Sequence, residues 1–178
     1  EDKAKKEILI RCDPADHLVA LAFKISTDAH GDLTFLRIYR GTLKAGTRVL
    51  NPSRKIKENI TRVFEMQADE RVSLSEAPAG EIVAVVGLRE TLTGDTLCDS
   101  RHPVMLPSIA FPQTVITMSI EARSAADRGR LGEALAALRR EDPTFAFRTD
   151  AETGQTVISG MGELHLEILQ NRLVKDKK

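Results

Sequence analysis

The sequence predicts a mainly β domain followed by an α+β domain, and two observations support this fold class. Short strand-like segments separated by glycine- and proline-containing turns fill the first half, without any helical pattern. Beyond Pro103, Pro107 and Pro112, strand and helix patterns alternate. We therefore expect a charged linker over 1–14, a β-barrel over 15–100, a connector over 101–112 and an α+β domain over 113–178.

The first domain begins with a predicted β-hairpin. Apolar runs from Leu18 to Thr27 and from Leu33 to Arg40 flank a turn cluster that contains His30. Further short strands are predicted at four more places, with turn residues between them: Thr47 to Asn51, Asn59 to Met66, Glu81 to Val86 and Thr96 to Cys98. Several short strands at close spacing, without helices, indicate a closed barrel or a sandwich.

The second domain begins with an alternating segment, Thr114 to Ala122, which predicts a half-buried strand. Ser124 and Asp127 have the spacing of a helix capping box, and Asp142-Pro143 predicts the end of that helix. Two short strands follow, one with Phe145 and Phe147 and one over Thr156 to Ser159, and then a last helix.

This order of strand, helix, strand, strand, helix is that of a ferredoxin-like plait without its last strand. The missing strand normally pairs beside the first, so the segment Thr114 to Ala122 is expected to form an exposed sheet edge. Truncation of a larger protein is the expected cause.

Composition argues against several classes of function. The 26 basic and 26 acidic residues balance, so the whole surface is not expected to coat nucleic acid. There is no phosphate-binding glycine loop, no serine nucleophile motif and no C-x-x-C pair. His17, His30, His102 and His165 are scattered, without ligand spacing. We expect no catalytic, cofactor or metal site and no GTP binding by these residues.

Positive charge is nevertheless concentrated between residues 37 and 62. A single acid, Glu58, lies among eight basic residues: Arg37, Arg40, Lys44, Arg48, Arg54, Lys55, Lys57 and Arg62. Contact with a phosphate backbone is one interpretation, since such contacts release counterions. A solvated barrel surface is the other, because no aromatic residues for base stacking are interleaved with the charges.

The last helix carries a second charged pattern. Gly160-Met161-Gly162 is interpreted as a tight turn that lets strand and helix pack closely, because Glu163 places a negative charge where a dinucleotide phosphate would lie. Glu163 and Glu167 share one helix face, while His165 and Arg172 share another. These side chains are expected to project toward a partner outside the domain, and a solvated helix surface is the alternative.

Several motifs resemble elongation factor G. Three runs are similar to strands of its second domain: ALAFKI from Ala20, LTFLRIYRG from Leu33 and GTRVLN from Gly46. Later barrel motifs are AGEI from Ala79, VGL from Val86 and TGDTLC from Thr93. Glu141-Asp142-Pro143 resembles the end of a helix in the third domain of that family. SGMGELHLE from Ser159 resembles the strand-to-helix signature of the same domain.

The resemblance implies a translation-factor β-barrel followed by the truncated plait, both from a cytoplasmic, ribosome-dependent GTPase that moves tRNA and mRNA. GTP and magnesium would be bound by a G domain outside these residues. The implied partners are small-subunit rRNA and protein, that G domain and the C-terminal domains, with no membrane. Related factors bind fusidic acid between these domains.

The resemblance also implies residue roles. The barrel of the family rests on small-subunit rRNA, so the eight basic residues are expected to face rRNA. The second helix of the third domain lies near the nucleotide switches in the family. A coupling role is therefore implied for Gly160, Gly162, Glu163, His165 and Glu167.

Alternative functions stay open at this point. The parent could be a ribosome-recycling, back-translocating or ribosome-protection paralogue of the translocase. A stand-alone RNA-binding barrel is disfavoured by the missing closing strand, and a stand-alone enzyme by the absence of a catalytic constellation.

Overall fold

The computed structural model describes residues 8–28, 31–68, 70–122 and 124–175. The chain forms two compact units, which divide between Ser108 and Ile109. In the described ranges, no helix has the length and apolar character that crossing a lipid bilayer requires.

The first unit is built from antiparallel strands alone. Within the described residues these are β1 (Val19–Asp28), β2 (Gly31–Arg40), β3 (Thr42–Lys44), β4 (Arg48–Asn51), β5 (Ile56–Asn59), β6 (Arg62–Gln67), β7 (Glu70–Leu74), β8 (Glu76–Pro78), β9 (Ile82–Val86) and β10 (Thr96–Cys98). Eight of them form one sheet in the order β5-β4-β10-β1-β2-β9-β6-β7, while β3 pairs with β8.

The sheet curls around a single apolar core and is closed by the chain between β5 and β6. The Gly46 N–H donates to the Ile60 carbonyl at 2.8 Å, and the Thr61 N–H donates to the Val86 carbonyl at 2.8 Å. This segment therefore joins the β4 side of the sheet to β9. Fully buried side chains from β1, β2, β4, β6 and β9 meet in the interior, which confirms the predicted barrel.

Closure of the barrel requires a glycine at position 87. Gly87 has a φ of 118°, and a Cβ atom there would lie 2.3 Å from the Asn59 carbonyl oxygen and 3.0 Å from the Thr61 nitrogen. Any side chain would push the closing segment away from β9.

The predicted hairpin is confirmed by the antiparallel pairing of β1 with β2; its turn residue His30 lies outside the described residues. Strands β3, β5, β7 and β8 were not predicted. The strand predicted from Asn59 begins at Arg62. β5 and β7 lie at the two ends of the sheet order. β7 is almost entirely exposed, and β5 has a single apolar residue, Ile56, while its buried side chain is the acid Glu58. Neither strand therefore shows the alternation of buried apolar and exposed polar residues that predicts a strand.

The second unit has the predicted order of strand, helix, strand, strand, helix. Its elements are β11 (Ile116–Ile120), α1 (Ala125–Glu141), β12 (Ala146–Thr149), β13 (Thr156–Gly160) and α2 (Glu163–Lys175). The sheet order is β11-β13-β12, so β11 lies at an edge of the sheet, as predicted. Leu135, Phe145, Ile158 and Leu166 pack in a core between the helices and one face of this sheet.

The ends of α1 are set by local hydrogen bonds. At its start, the Asp127 N–H donates to Ser124 Oγ at 3.2 Å, as the capping pattern predicts. At its end, Asp142 has extended backbone angles, and its N–H donates to the Leu138 carbonyl at 2.8 Å. The following Pro143 cannot continue the helix.

Candidate functional site

Four of the eight basic residues lie on the β4–β5 hairpin. Arg48 is on β4 and Lys57 is on β5, and Arg54 and Lys55 occupy the turn between them. The cross-strand register places Arg48 and Lys57 on the same outer face. Arg48, Lys55 and Lys57 are exposed, and no acid among the described residues forms an ion pair with them. Their positive charge is therefore presented to solvent.

The acid within the basic run points into the barrel and leaves the hairpin surface uncompensated. Glu58 is buried, and its Oε1 accepts the backbone N–H groups of Arg89 and Glu90. Its Oε2 accepts the hydroxyl of Thr91. The side chain thus holds the loop after β9 in place. Its negative charge is stabilised by hydrogen bonds inside the fold and does not offset the basic residues on the surface.

Arg54 differs from its neighbours in the hairpin turn because it is bound to the same end of the barrel. Its Nε donates to Asp95 Oδ2 at 2.7 Å. That oxygen also accepts the Leu92 N–H at 2.9 Å and the Nδ2 of buried Asn51 at 2.9 Å. The guanidinium of Arg54 is therefore part of a network that connects the turn to the loop before β10.

Arg40 is also held by the barrel itself. Its side chain is 11% exposed and forms an ion pair with Asp16 at 3.5 Å. Its Nε donates to the His17 carbonyl at 3.0 Å. The guanidinium anchors the segment before β1 and presents little surface to a partner.

The remaining three basic residues are spread over different strands. Lys44 is exposed on β3 and pairs with Glu76 at 3.2 Å. Arg37 is half-buried on β2, and exposed Arg62 on β6 lies above the Phe64 ring. The eight residues therefore do not form one uniform patch, and the exposed charge without a local acid is densest on the β4–β5 hairpin.

The turn before α2 shows the expected close packing of strand and helix at Gly160 but not at Gly162. A Cβ atom on Gly160 would lie 2.7 Å from Leu166 Cδ2 and 2.9 Å from His165 Nδ1. At Gly162 it would meet no atom within 4 Å. Gly160 is thus needed for strand and helix to approach each other, whereas Gly162 is not needed for space.

His165 and Arg172 each have an internal partner at the C-terminal end of α1, whereas the sequence analysis expected both to project toward a partner outside the domain. His165 Nδ1 accepts the Met161 N–H at 3.1 Å, which leaves the proton on Nε2. This Nε2 lies 2.7 Å from Asp142 Oδ2 and donates to it. Arg172 donates to Glu141 at 2.7 Å. Both side chains connect the two helices of the unit.

Asp142 is held in its ionised form by these contacts. Burial acts to raise its pKa, but hydrogen bonds from the hydroxyl and N–H of Thr144 and from His165 outweigh that effect. The net pKa of Asp142 lies below its ordinary value. The carboxylate therefore links the end of α1 to the start of α2 at neutral pH.

The outer face of α2 carries an apolar pair that the charge pattern did not reveal. Glu163 and Glu167 are exposed and, within the described part of the chain, form no ion pair or hydrogen bond. Beside them, Leu164 is 69% and Ile168 is 50% exposed. Leu164 and Ile168 are four residues apart and therefore share a helix face. The sequence could have revealed this pair, because the buried residues Leu166 and Leu169 lie on a different face.

Two of the histidines that seem scattered in the sequence come together in the barrel unit. The rings of His17 and His102 are stacked, with centroids 3.5 Å apart and 13° between their planes. Asp99 Oδ2 lies 3.7 Å from His17 Nδ1. The expectation that His17 and His102 are separate is therefore wrong, because the pairing of β1 with β10 brings their flanking residues together.

Two protein families match successive parts of the chain. The family described as elongation factor G domain 2 matches residues 17–100, and the family described as Elongation Factor G, domain III matches residues 111–178. A solved crystal structure from Thermus thermophilus is similar, with a TM-score of 0.75 and 29% sequence identity. The similarity covers 89% of this chain and 24% of that longer chain.

Proposed function

The chain belongs to the elongation factor G family, whose domains II and III it contains, and we propose that it binds the ribosome and couples it to GTP hydrolysis during tRNA–mRNA translocation. In this proposal GTP and magnesium are bound by the G domain of the complete, cytoplasmic factor. The described residues supply binding surfaces. The proposed partners are small-subunit rRNA and protein, that G domain and the C-terminal domains.

The β4–β5 hairpin carries the proposal for rRNA binding. Arg48, Lys55 and Lys57 project outward without an ion-pair partner among the described residues, and Glu58 is turned inward. Basic side chains that are not neutralised locally are suited to phosphate contacts, which release condensed counterions. The absence of exposed aromatic side chains on this hairpin favours backbone contact over base stacking.

The outer face of α2 supports the proposed coupling role. Leu164 and Ile168 form an exposed apolar pair next to Glu163 and Glu167. Such a mixed surface suits contact with a protein partner better than contact with rRNA, because carboxylates repel phosphates. The proposed partner of this face is the G domain of the complete factor.

The rRNA proposal is tested by the salt dependence of binding to purified small ribosomal subunits. The double variant Lys55→Ala/Lys57→Ala should bind more weakly, and the slope of log K against log salt should fall by about one for each phosphate that the variant no longer neutralises. Its matched control is Arg11→Ala/Lys24→Ala, which removes two exposed charges outside the run.

The control separates a local interaction from an effect of total charge. The Arg11→Ala/Lys24→Ala variant should keep the salt slope of the unmodified chain. Equal slopes for both double variants and the unmodified chain would refute rRNA contact by the hairpin. An equal fall in both variants would assign the effect to net charge.

A further inference from the structure

Two histidines and one aspartate meet where the barrel chain enters β1 and leaves β10. His17 precedes β1, while Asp99 and His102 follow β10. The Asp99 N–H donates to the Leu18 carbonyl at 3.1 Å, and the His102 N–H donates to the Asp99 carbonyl at 3.2 Å. The backbone of all three residues is therefore held by the β1–β10 pairing and by the turn that follows it.

The His17 side of this cluster is also anchored from β2. The Arg40 Nε donates to the His17 carbonyl at 3.0 Å. Gly41 has a φ of 78°, and a Cβ atom there would lie 2.6 Å from the Leu18 nitrogen. The close approach that this glycine allows presses the segment before β1 onto the barrel. His17 thus has a fixed backbone from which to present its ring.

The side-chain atoms of the cluster have the chemistry and nearly the spacing of a metal site. One ligand atom each from His17, Asp99 and His102 lies within 4.8 Å of the other two. His17 Nδ1 and Asp99 Oδ2 are 3.7 Å apart. Two ligand atoms bound to tetrahedral zinc are separated by about 3.3 Å, because each bond is about 2.0–2.1 Å long.

We infer that His17, Asp99 and His102 form a binding site for a divalent transition-metal ion of the zinc type. Two imidazoles and a carboxylate suit zinc, whereas magnesium prefers oxygen ligands alone. The ion would connect the segment before β1 to the turn after β10. Because the coordination shell requires a fourth ligand, a water molecule completes it.

Metal binding has to displace two interactions. Arg101 Nη2 lies 3.3 Å from Asp99 Oδ2, but this arginine side chain is 79% exposed and can turn into solvent. The stacked rings of His17 and His102 have nearly parallel planes, so His102, which is exposed, has to tilt before both rings can face one ion.

The Asp99 carboxylate presents one of its two oxygens to the histidine side of the cluster. The Arg101 N–H donates to the other oxygen, Oδ1, at 2.8 Å and holds the carboxylate in place. Oδ2 is the oxygen that faces His17. Oδ2 also accepts Arg101 Nη2 at 3.3 Å, so this oxygen becomes fully available to a metal ion when the exposed arginine side chain turns away.

Titration calorimetry of the full chain with zinc sulfate at neutral pH tests this site. We expect one zinc ion per chain, and no binding with magnesium chloride. His17→Ala/His102→Ala should weaken zinc binding by at least about tenfold, since changes even beyond the direct ligands reach this size. Asp99→Asn, which keeps an acceptor for the Arg101 N–H, should also weaken it.

Cys12→Ser is the matched control, because Cys12 is an exposed free thiol in the same unit and thiolate is a preferred zinc ligand. This variant should keep the zinc affinity of the unmodified chain. Nuclear magnetic resonance should show both imidazole signals of His17 and His102 shifting with one equivalent of zinc. No zinc binding by the unmodified chain, unchanged affinity in His17→Ala/His102→Ala, or loss of binding in Cys12→Ser would each overturn the inference.

Discussion

The β4–β5 hairpin and α2 each mix acidic and basic residues, but the charge that the fold binds internally has opposite signs in the two regions. In the hairpin, Glu58 points inward to bind a loop, and the exposed charge is basic. In α2, His165 and Arg172 bind Asp142 and Glu141 at the C-terminal end of α1, and the exposed charge on the outer face is acidic. The sign of the charge on each surface therefore depends on which charged side chains are bound inside the fold.

The largest expected effect concerns the internal acid of the hairpin. Glu58→Ala leaves the N–H groups of Arg89 and Glu90 without their buried acceptor, so the free energy of unfolding should fall by about 3 kcal/mol. Urea denaturation measures it. Glu65→Ala, an exposed acid on β6, is the control and should stay within about 0.5 kcal/mol. An equal fall in the free energy of unfolding for Glu58→Ala and Glu65→Ala would contradict the structural role assigned to Glu58.

An intermediate effect is expected for the acid that binds His165. Asp142→Asn should lower the free energy of unfolding of the second unit by about 2 kcal/mol, because the hydrogen bonds from Thr144 and His165 no longer have a charged acceptor. Amide hydrogen exchange in α1 and β13 measures this change. Glu133→Gln, at an exposed position of α1, is the control and should change exchange little.

The same carboxylate predicts the direction of a pH effect. Because the folded pKa of Asp142 is lowered, its contribution to stability is complete above the unfolded pKa of about 3.9 and is lost as pH falls through the folded value. Asp142→Asn should therefore flatten the acid dependence of exchange below about pH 4. An unchanged acid dependence would show that this carboxylate is not the group responsible.

The smallest effect on stability is expected on the outer face of α2. Glu167→Lys should change the free energy of unfolding by less than about 0.5 kcal/mol, since Glu167 is exposed and has no local ion pair within the described residues. In the complete factor it should slow ribosome-stimulated GTP hydrolysis and leave GTP affinity unchanged. Glu133→Lys on α1 should alter neither property.

The α2 variant also sharpens the coupling proposal. Because His165 has an internal partner, a variant that includes His165→Ala would mix a loss of folding stability with a loss of coupling. Glu167→Lys avoids this problem. Normal ribosome-stimulated hydrolysis by the folded Glu167→Lys factor would contradict a coupling role for this face.

Local patterns were sufficient for much of the fold. The cap at Ser124, the helix end at Asp142 and the close packing at Gly160 were all predicted from neighbouring residues. Each depends on interactions between residues a few positions apart, so the order of residue types along the sequence is enough to predict it. Strand β5 was missed because it has a single apolar residue, Ile56, and its buried side chain is the acid Glu58, so it shows no apolar alternation.

The sequence by itself determined the order of strands and helices, the change from barrel to α+β domain and the family of the chain, because periodicity, turns and motifs are local properties. Only the tertiary structure decided that Glu58 points inward, that His165 binds Asp142 and that His17 meets His102. Those partners are brought together by strand register, barrel closure and helix packing. Whether a charged or metal-binding side chain can contact a partner outside the fold depends on that assembly. Only the side chains that have not bound an internal partner are left for such a contact.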